Sequence, residues 1–244
     1  MEIKNEYVIK PTLSGAFGHG WKTMGNYFLI LLLVVFVMTI ISAPTGFMGQ
    51  AFNFENMPWE HMDFDFNLFQ TGWIALGILA VIVGIVVLAY SLLVVPVFKF
   101  GSALMFVHAA RNKRPDFETL IVGFKENYLH IILANVLVAA LVMLGVIFLI
   151  IPGIIIGCRL AFVTYLVMDK KLDPIVAVEE SWKLTRGHGW TIFFMAIVSF
   201  FIGLAGFMLC IVGILPAAIW IRSSFASLYE AVLIENNGKE IAAE

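Results

Sequence analysis

The sequence predicts an all-α membrane protein, with six transmembrane helices arranged as three hairpins, each preceded by a short amphipathic interfacial helix. Three observations carry that prediction. Hydrophobic residues make up 61% of the 244 and charged residues only 13%, far from the balance of soluble domains. The apolar residues fall in uninterrupted runs that approach the ~20 residues needed to cross ~30 Å of hydrocarbon as a helix, without the alternation of barrel strands. Finally, the Lys and Arg residues that lie between the runs fall in every second connection.

The elements follow in order. Thr12, beside Pro11, caps an interfacial helix at about 12–22, and the first span covers about 27–43. Residues 1–26 mix Glu2 and Glu6 with lysines, so this span is expected to stay attached rather than be cleaved as a signal. An outer loop, 44–71, is acidic through Glu55, Glu60, Asp63 and Asp65 and dense in Phe, which suits the headgroup layer of the outer leaflet. Within it, Met62 to Phe69 alternates like an extended ribbon with one wet face.

The second span, about 72–96, stays apolar almost to Arg111. At 1.5 Å per residue a straight helix over that whole stretch would be ~58 Å long, so a kink is expected at Pro96. Residues 97–110 then either lie in the interface or bring Lys99 into the membrane. An interfacial helix at about 116–126 leads to the third span, 128–150, and a tight break at Ile151-Pro152-Gly153 to the fourth, 153–168. The last unit has its interfacial helix at about 173–186, with a Glu179–Lys183 pair and a stop at Arg186-Gly187. Spans 190–212 and 214–234 complete it, broken at Gly213-Ile214-Leu215-Pro216.

Basic residues fix an expected orientation. The segment before residue 27 carries Lys4, Lys10 and Lys22, residues 98–127 carry five basic side chains, and residues 169–189 carry four. The three opposite loops carry none, which places both termini in the cytoplasm of a bacterial inner membrane. Cys158 and Cys210 fall inside apolar runs, where a cysteine packs as a small hydrophobe.

The three interfacial stretches repeat one another. Each ends in an aromatic–Lys pair: Trp21-Lys22, Phe124-Lys125 and Trp182-Lys183, followed in the third by Arg186. Apolar residues at helical spacing are expected to dip into the acyl boundary while the basic ends meet lipid phosphates. The tetrapeptide Gly-His-Gly-Trp occurs at 18–21 and again at 187–190, but aligning the aromatic–Lys pairs matches Trp21 with Trp182, not with Trp190. The two copies therefore read as glycine-rich hinges rather than matched ligand loops.

Ile151-Pro152-Gly153, Arg159, Ala177, Ser181-Trp182-Lys183-Leu184-Thr185 and Gly187, together with Gly123-Phe124-Lys125, resemble the membrane domain attached to some bacterial glycerophosphoryl diester phosphodiesterases, and its stand-alone integral membrane relatives. The resemblance covers roughly residues 95–235. It implies a six-span inner-membrane protein and not the phosphodiesterase reaction, which belongs to a separate soluble barrel.

Charges inside spans are costly and mark candidate sites. Arg159 and Arg222 lie deep in their runs, Lys99 joins them if its helix sits low, and Glu230 is the acid among them. We expect these residues to line a cytoplasm-facing cleft for an anionic lipid headgroup, since a guanidinium holds phosphate oxygens in bidentate fashion. The structural alternative is that each arginine satisfies carbonyls freed near Pro152 and Pro216, or snorkels inward. No nucleophile elbow, phosphate loop, CxxC or metal-ligand spacing appears, so no catalytic residue, cofactor, metal or nucleic-acid partner is expected. Membrane lipids, anionic ones included, are the expected partners, with a protein partner or a second copy left open. An anion or small-solute transporter or channel, and a membrane scaffold that recruits a partner protein, stand as alternative functions.

Overall fold

A computed structural model of the chain describes the backbone over residues 10–51 and 68–243, and side chains over 10–45, 78–209 and 213–238. The described residues form helices only: α1 (Leu13–Ala51), α2 (Leu68–Leu93), α3 (Val95–Ala110), α4 (Glu118–Lys125), α5 (Tyr128–Phe148), α6 (Ile150–Arg159), α7 (Val163–Asp169), α8 (Pro174–Leu184), α9 (Gly189–Met208) and α10 (Cys210–Ala243). Six stretches are long and apolar enough to cross a membrane: Leu13–Thr45, Ile78–Ala110, Tyr128–Phe148, Ile150–Asp169, Gly189–Met208 and Gly213–Gly238. The protein is an all-α, multi-pass integral membrane protein. Of the outer loop, residues 44–51 belong to α1 and 68–71 to α2, so the last two residues of the expected ribbon at 62–69 are helical; its residues 62–67 and the acidic positions lie outside the described residues.

The breaks fall a few residues from where composition alone puts them. The first interfacial helix and the first span are one helix bent at Tyr27 (φ −121°, ψ 25°), and it runs on through Pro44. Between α2 and α3 the chain breaks at Val94, leaving Pro96 in the first turn of α3, where its missing N–H is no loss. Two hairpins turn on single residues, Leu149 and Leu209, so Pro152 sits in the first turn of α6 and Pro216 inside α10. Glycines let these hairpins close. A Cβ on Gly145 would lie 2.9 Å from the Cα of Gly153, and one on Gly213 would lie 2.7 Å from the Leu209 Cβ.

Of the two expectations for residues 97–110, neither describes α3 fully. It is a core helix, with Val97, Phe100, Met105, Phe106 and Ala109 almost wholly buried among α1, α4, α7 and α10. The other half of that span, Ile78 to Leu93 of α2, presents its large side chains outward, as do Leu144 to Ile151 at the α5–α6 turn and Phe200 to Leu209 of α9. Such a continuous apolar surface is what hydrocarbon requires. Interlocked side chains are thus concentrated where α3, α7, α8 and the C-terminal half of α10 meet.

The three repeated helical stretches share a feature that the hydrophobic pattern hides. Aligned on their aromatic–Lys pairs, each buries two small or hydroxyl residues one turn apart: Ala16 and Gly20 in α1, Thr119 and Gly123 in α4, Ala177 and Ser181 in α8. The large apolar residues Trp21, Ile121 and Ile175 are exposed instead. In a membrane the lipid accepts big side chains at no cost, so the small ones are left to bring helix backbones together. These helices are therefore held to the protein by one face and to the bilayer boundary by another.

Candidate anion site

The fourth span is broken in its middle. α6 ends at Arg159, residues 160–162 turn, and α7 resumes at Val163. A helix end leaves carbonyls without partners, and inside a membrane each must be answered. Ser181 on α8 supplies the answer, its hydroxyl donating to the Arg159 carbonyl at 2.7 Å, while the Thr185 hydroxyl donates to the Ser181 carbonyl at 2.8 Å. Trp182 then lies beside the Arg159 guanidinium, 5.8 Å from ring centroid to Cζ, within range of a cation–π contact. Replacing Ser181 by alanine is expected to lower stability by about 1–3 kcal/mol, because the Arg159 carbonyl is left with only the more distant Thr185 hydroxyl at 3.4 Å. Thermal unfolding in detergent measures it; a wild-type midpoint would mean the bond contributes nothing.

Beside this junction lies a cleft of about 430 Å³ between α6 and the turn that leads into α9. Ile151, Ile154, Ile155 and Phe193 form its walls, while Arg159 and Gly189 contribute at the polar end. The Nη1 atom of Arg159 is buried with no hydrogen-bond partner among the described residues. A buried charged nitrogen without an acceptor is expensive, so the position invites an anion. A second feature points the same way: His188 precedes α9 without a side-chain cap, and Gly189 and Trp190 of the first turn, at the positive end of the helix, line the cleft. Ile151, Ile155 and Trp190 are well exposed on the outer side, so the cleft borders the lipid.

The doubled Gly-His-Gly-Trp divides between two tasks. The first copy is not a hinge: it lies within α1, where Gly20 abuts Ser224 of α10, Trp21 meets Trp220 edge-to-face at 4.9 Å, and His19 Nε2 lies 2.9 Å from the Ala110 carbonyl. The second copy makes the α8–α9 turn, with Gly187 at φ 86°, and lines the cleft; His188 Nε2 lies 3.4 Å from a Glu235 carboxylate oxygen.

The other candidates lie elsewhere. Arg222 on α10 feels the charge of Lys99 on α3 and neighbours Tyr165, and no carboxylate among the described residues pairs with either cation. Lys99 is exposed and Arg222 partly so, and neither lines the Arg159 cleft. Glu230 is engaged by Arg111, whose Nε donates to Glu230 Oε2 at 2.8 Å. Trp21, Lys22, Phe124, Lys125, Trp182, Lys183 and Arg186 are all exposed.

No protein-family model matches this chain, and no curated protein or solved structure matches it either.

Arg111 anchors a network that the sequence did not single out. Its guanidinium grips Asp169 at the end of α7 through Nη1 (2.5 Å) and Nη2 (2.7 Å), and Tyr229 donates to the same carboxylate at 3.0 Å. With Glu230 this clasps α3, α7 and α10 together at one end. Burial works against the Arg111 charge, but hydrogen bonds and attraction from Asp169 and Glu230 outweigh it and hold the guanidinium even more firmly protonated than usual. Lys171–Glu126 (2.6 Å) and His130–Asp173 (2.9 Å) add more exposed ties between the α7–α8 loop and the α4–α5 corner.

Proposed function

We propose that this bacterial inner-membrane protein, with both termini in the cytoplasm, binds an anionic lipid headgroup in the cytoplasm-facing cleft at Arg159. The observation that carries the reading is Arg159, which lines a cleft bordered by lipid-exposed isoleucines and whose buried Nη1 has no hydrogen-bond partner among the described residues. The proposed role is binding and handling of the lipid, not catalysis. The residues that carry the resemblance to the phosphodiesterase membrane domain add support, since Arg159, Ser181, Trp182, Thr185 and Gly187 gather around this one junction. The distribution of Lys and Arg supports the orientation.

Native mass spectrometry of the purified protein tests the reading. Arg159→Ala is expected to retain about a tenth or less of the wild-type anionic lipid, the loss of one charge-assisted contact. Arg222→Ala, outside the cleft, should retain a wild-type amount. Equal lipid content in wild type and Arg159→Ala would end the proposal.

The broken fourth span, and Lys99 and Arg222 with no carboxylate partner among the described residues, favour a second reading, an anion pathway, because interrupted helices and intramembrane cations build substrate sites in transporters. Anion flux in proteoliposomes that falls on Arg222→Ala would favour it over lipid binding.

A further inference from the structure

The lining of the cleft brings together three donor-bearing features: Arg159, Trp190 and the uncapped N-terminus of α9 at Gly189. Among the described residues that line it, no side chain offers a carboxylate, amide or hydroxyl, and Cys158 supplies only a thiol. A headgroup that carries its own O–H or N–H donors, such as glycerol or ethanolamine, would leave them poorly matched here. An unmatched polar group in an apolar cleft is strongly disfavoured. A phosphate with a single ester link accepts through three terminal oxygens and brings about 1.5–2 negative charges, as phosphoserine does. That is the complement of a guanidinium beside the positive end of a helix. The walls of Ile151, Ile154, Ile155 and Phe193 meanwhile suit a hydrocarbon chain that remains in the bilayer.

We infer that the occupant of the cleft is a lipid phosphomonoester, selected over phosphodiester lipids with a polar head alcohol. This rests on the reading of the cleft as an anionic headgroup site. A diacylglycerol phosphate and a polyprenyl monophosphate share the chemistry, and they differ in the chain alone.

The test uses the full chain in phosphatidylcholine nanodiscs doped in turn with dioleoyl phosphatidic acid, a polyprenyl monophosphate or phosphatidylglycerol, with bound lipid counted by native mass spectrometry. At least one of the two phosphomonoesters should be retained about tenfold more than phosphatidylglycerol, and whichever is preferred names the source. The preference should vanish in Arg159→Ala. It should also vanish in Gly189→Phe, which adds a ring at a cleft-lining position where a Cβ meets nothing within 4 Å. Gly203→Phe, with equally open space on the same helix but outside the cleft, should keep it. Retention of phosphatidylglycerol equal to the phosphomonoesters, and still dependent on Arg159, would overturn the selectivity while sparing the headgroup site. Lipid binding indifferent to Arg159 would overturn both. Displacement of bound phosphatidic acid by inorganic phosphate would mark a site for free anions and overturn the lipid assignment.

Discussion

Arg111→Met is expected to destabilise the protein by about 3–5 kcal/mol, the cost of removing one partner from a largely buried charge network. The loss is large because Arg111 answers two carboxylates at once, Asp169 and Glu230, whose side chains are 10% and 14% exposed. Without the guanidinium those acids face each other and Tyr229 across a space with little water, and one must take up a proton or move apart. The three helices they sit on would lose their common tie. The check is a thermal melt of the monodisperse protein in detergent. The triple variant Arg111→Met, Asp169→Asn, Glu230→Gln should recover much of the loss, because it removes the uncompensated charges as well as the bond. A triple variant no better than Arg111→Met would show that attraction, not relief of stranded charge, sets the magnitude.

Gly20→Ala should cost about 1–3 kcal/mol, through overpacking at the α1–α10 crossing. The new Cβ would lie 2.7 Å from the Ser224 amide nitrogen and 2.8 Å from its Cα, and backbone cannot swing aside as a flexible side chain can. Two residues earlier, the same change should act in the opposite direction. A Cβ on Gly18 meets nothing within 4 Å, so Gly18→Ala should gain about 0.5–1 kcal/mol from the helix preference of alanine alone. Opposite shifts in melting temperature from neighbouring glycines of one tetrapeptide would establish the crossing. A shared sign would refute it.

Much of this architecture was legible because hydrocarbon imposes a simple rule. Apolar runs of the right length must be helices, and six such helical stretches are found among the described residues. What the rule cannot reveal is which side of a helix meets protein. The small residues Gly20 and Ala177 that meet protein carry no mark in the hydrophobic pattern, while the large Trp21 and Ile175 stay exposed, because lipid welcomes what water would reject. Proline was a marker of breaks but not their location: the chain turns at Leu149 and Leu209, several residues ahead of Pro152 and Pro216. Arg159 was visible as an anomalous charge, but not its junction, since nothing in a linear pattern says that Ser181 will reach its carbonyl. The Arg111 network was invisible for a different reason. Arg111 and Asp169 sit at the ends of apolar runs, where charged residues are commonplace, and only the contact 58 positions apart distinguishes them.

The interrupted fourth span also has a history within each molecule. When α6 leaves the ribosome and settles into lipid, the carbonyl at its end has no donor, and the hydroxyl that will serve it lies 22 residues further along the chain. Until α8 has been synthesised and has folded back, that end can be quieted only by water or by a borrowed partner. The α6–α7 turn is therefore the last part of its hairpin to mature, and its completion is a record that the following segment has arrived.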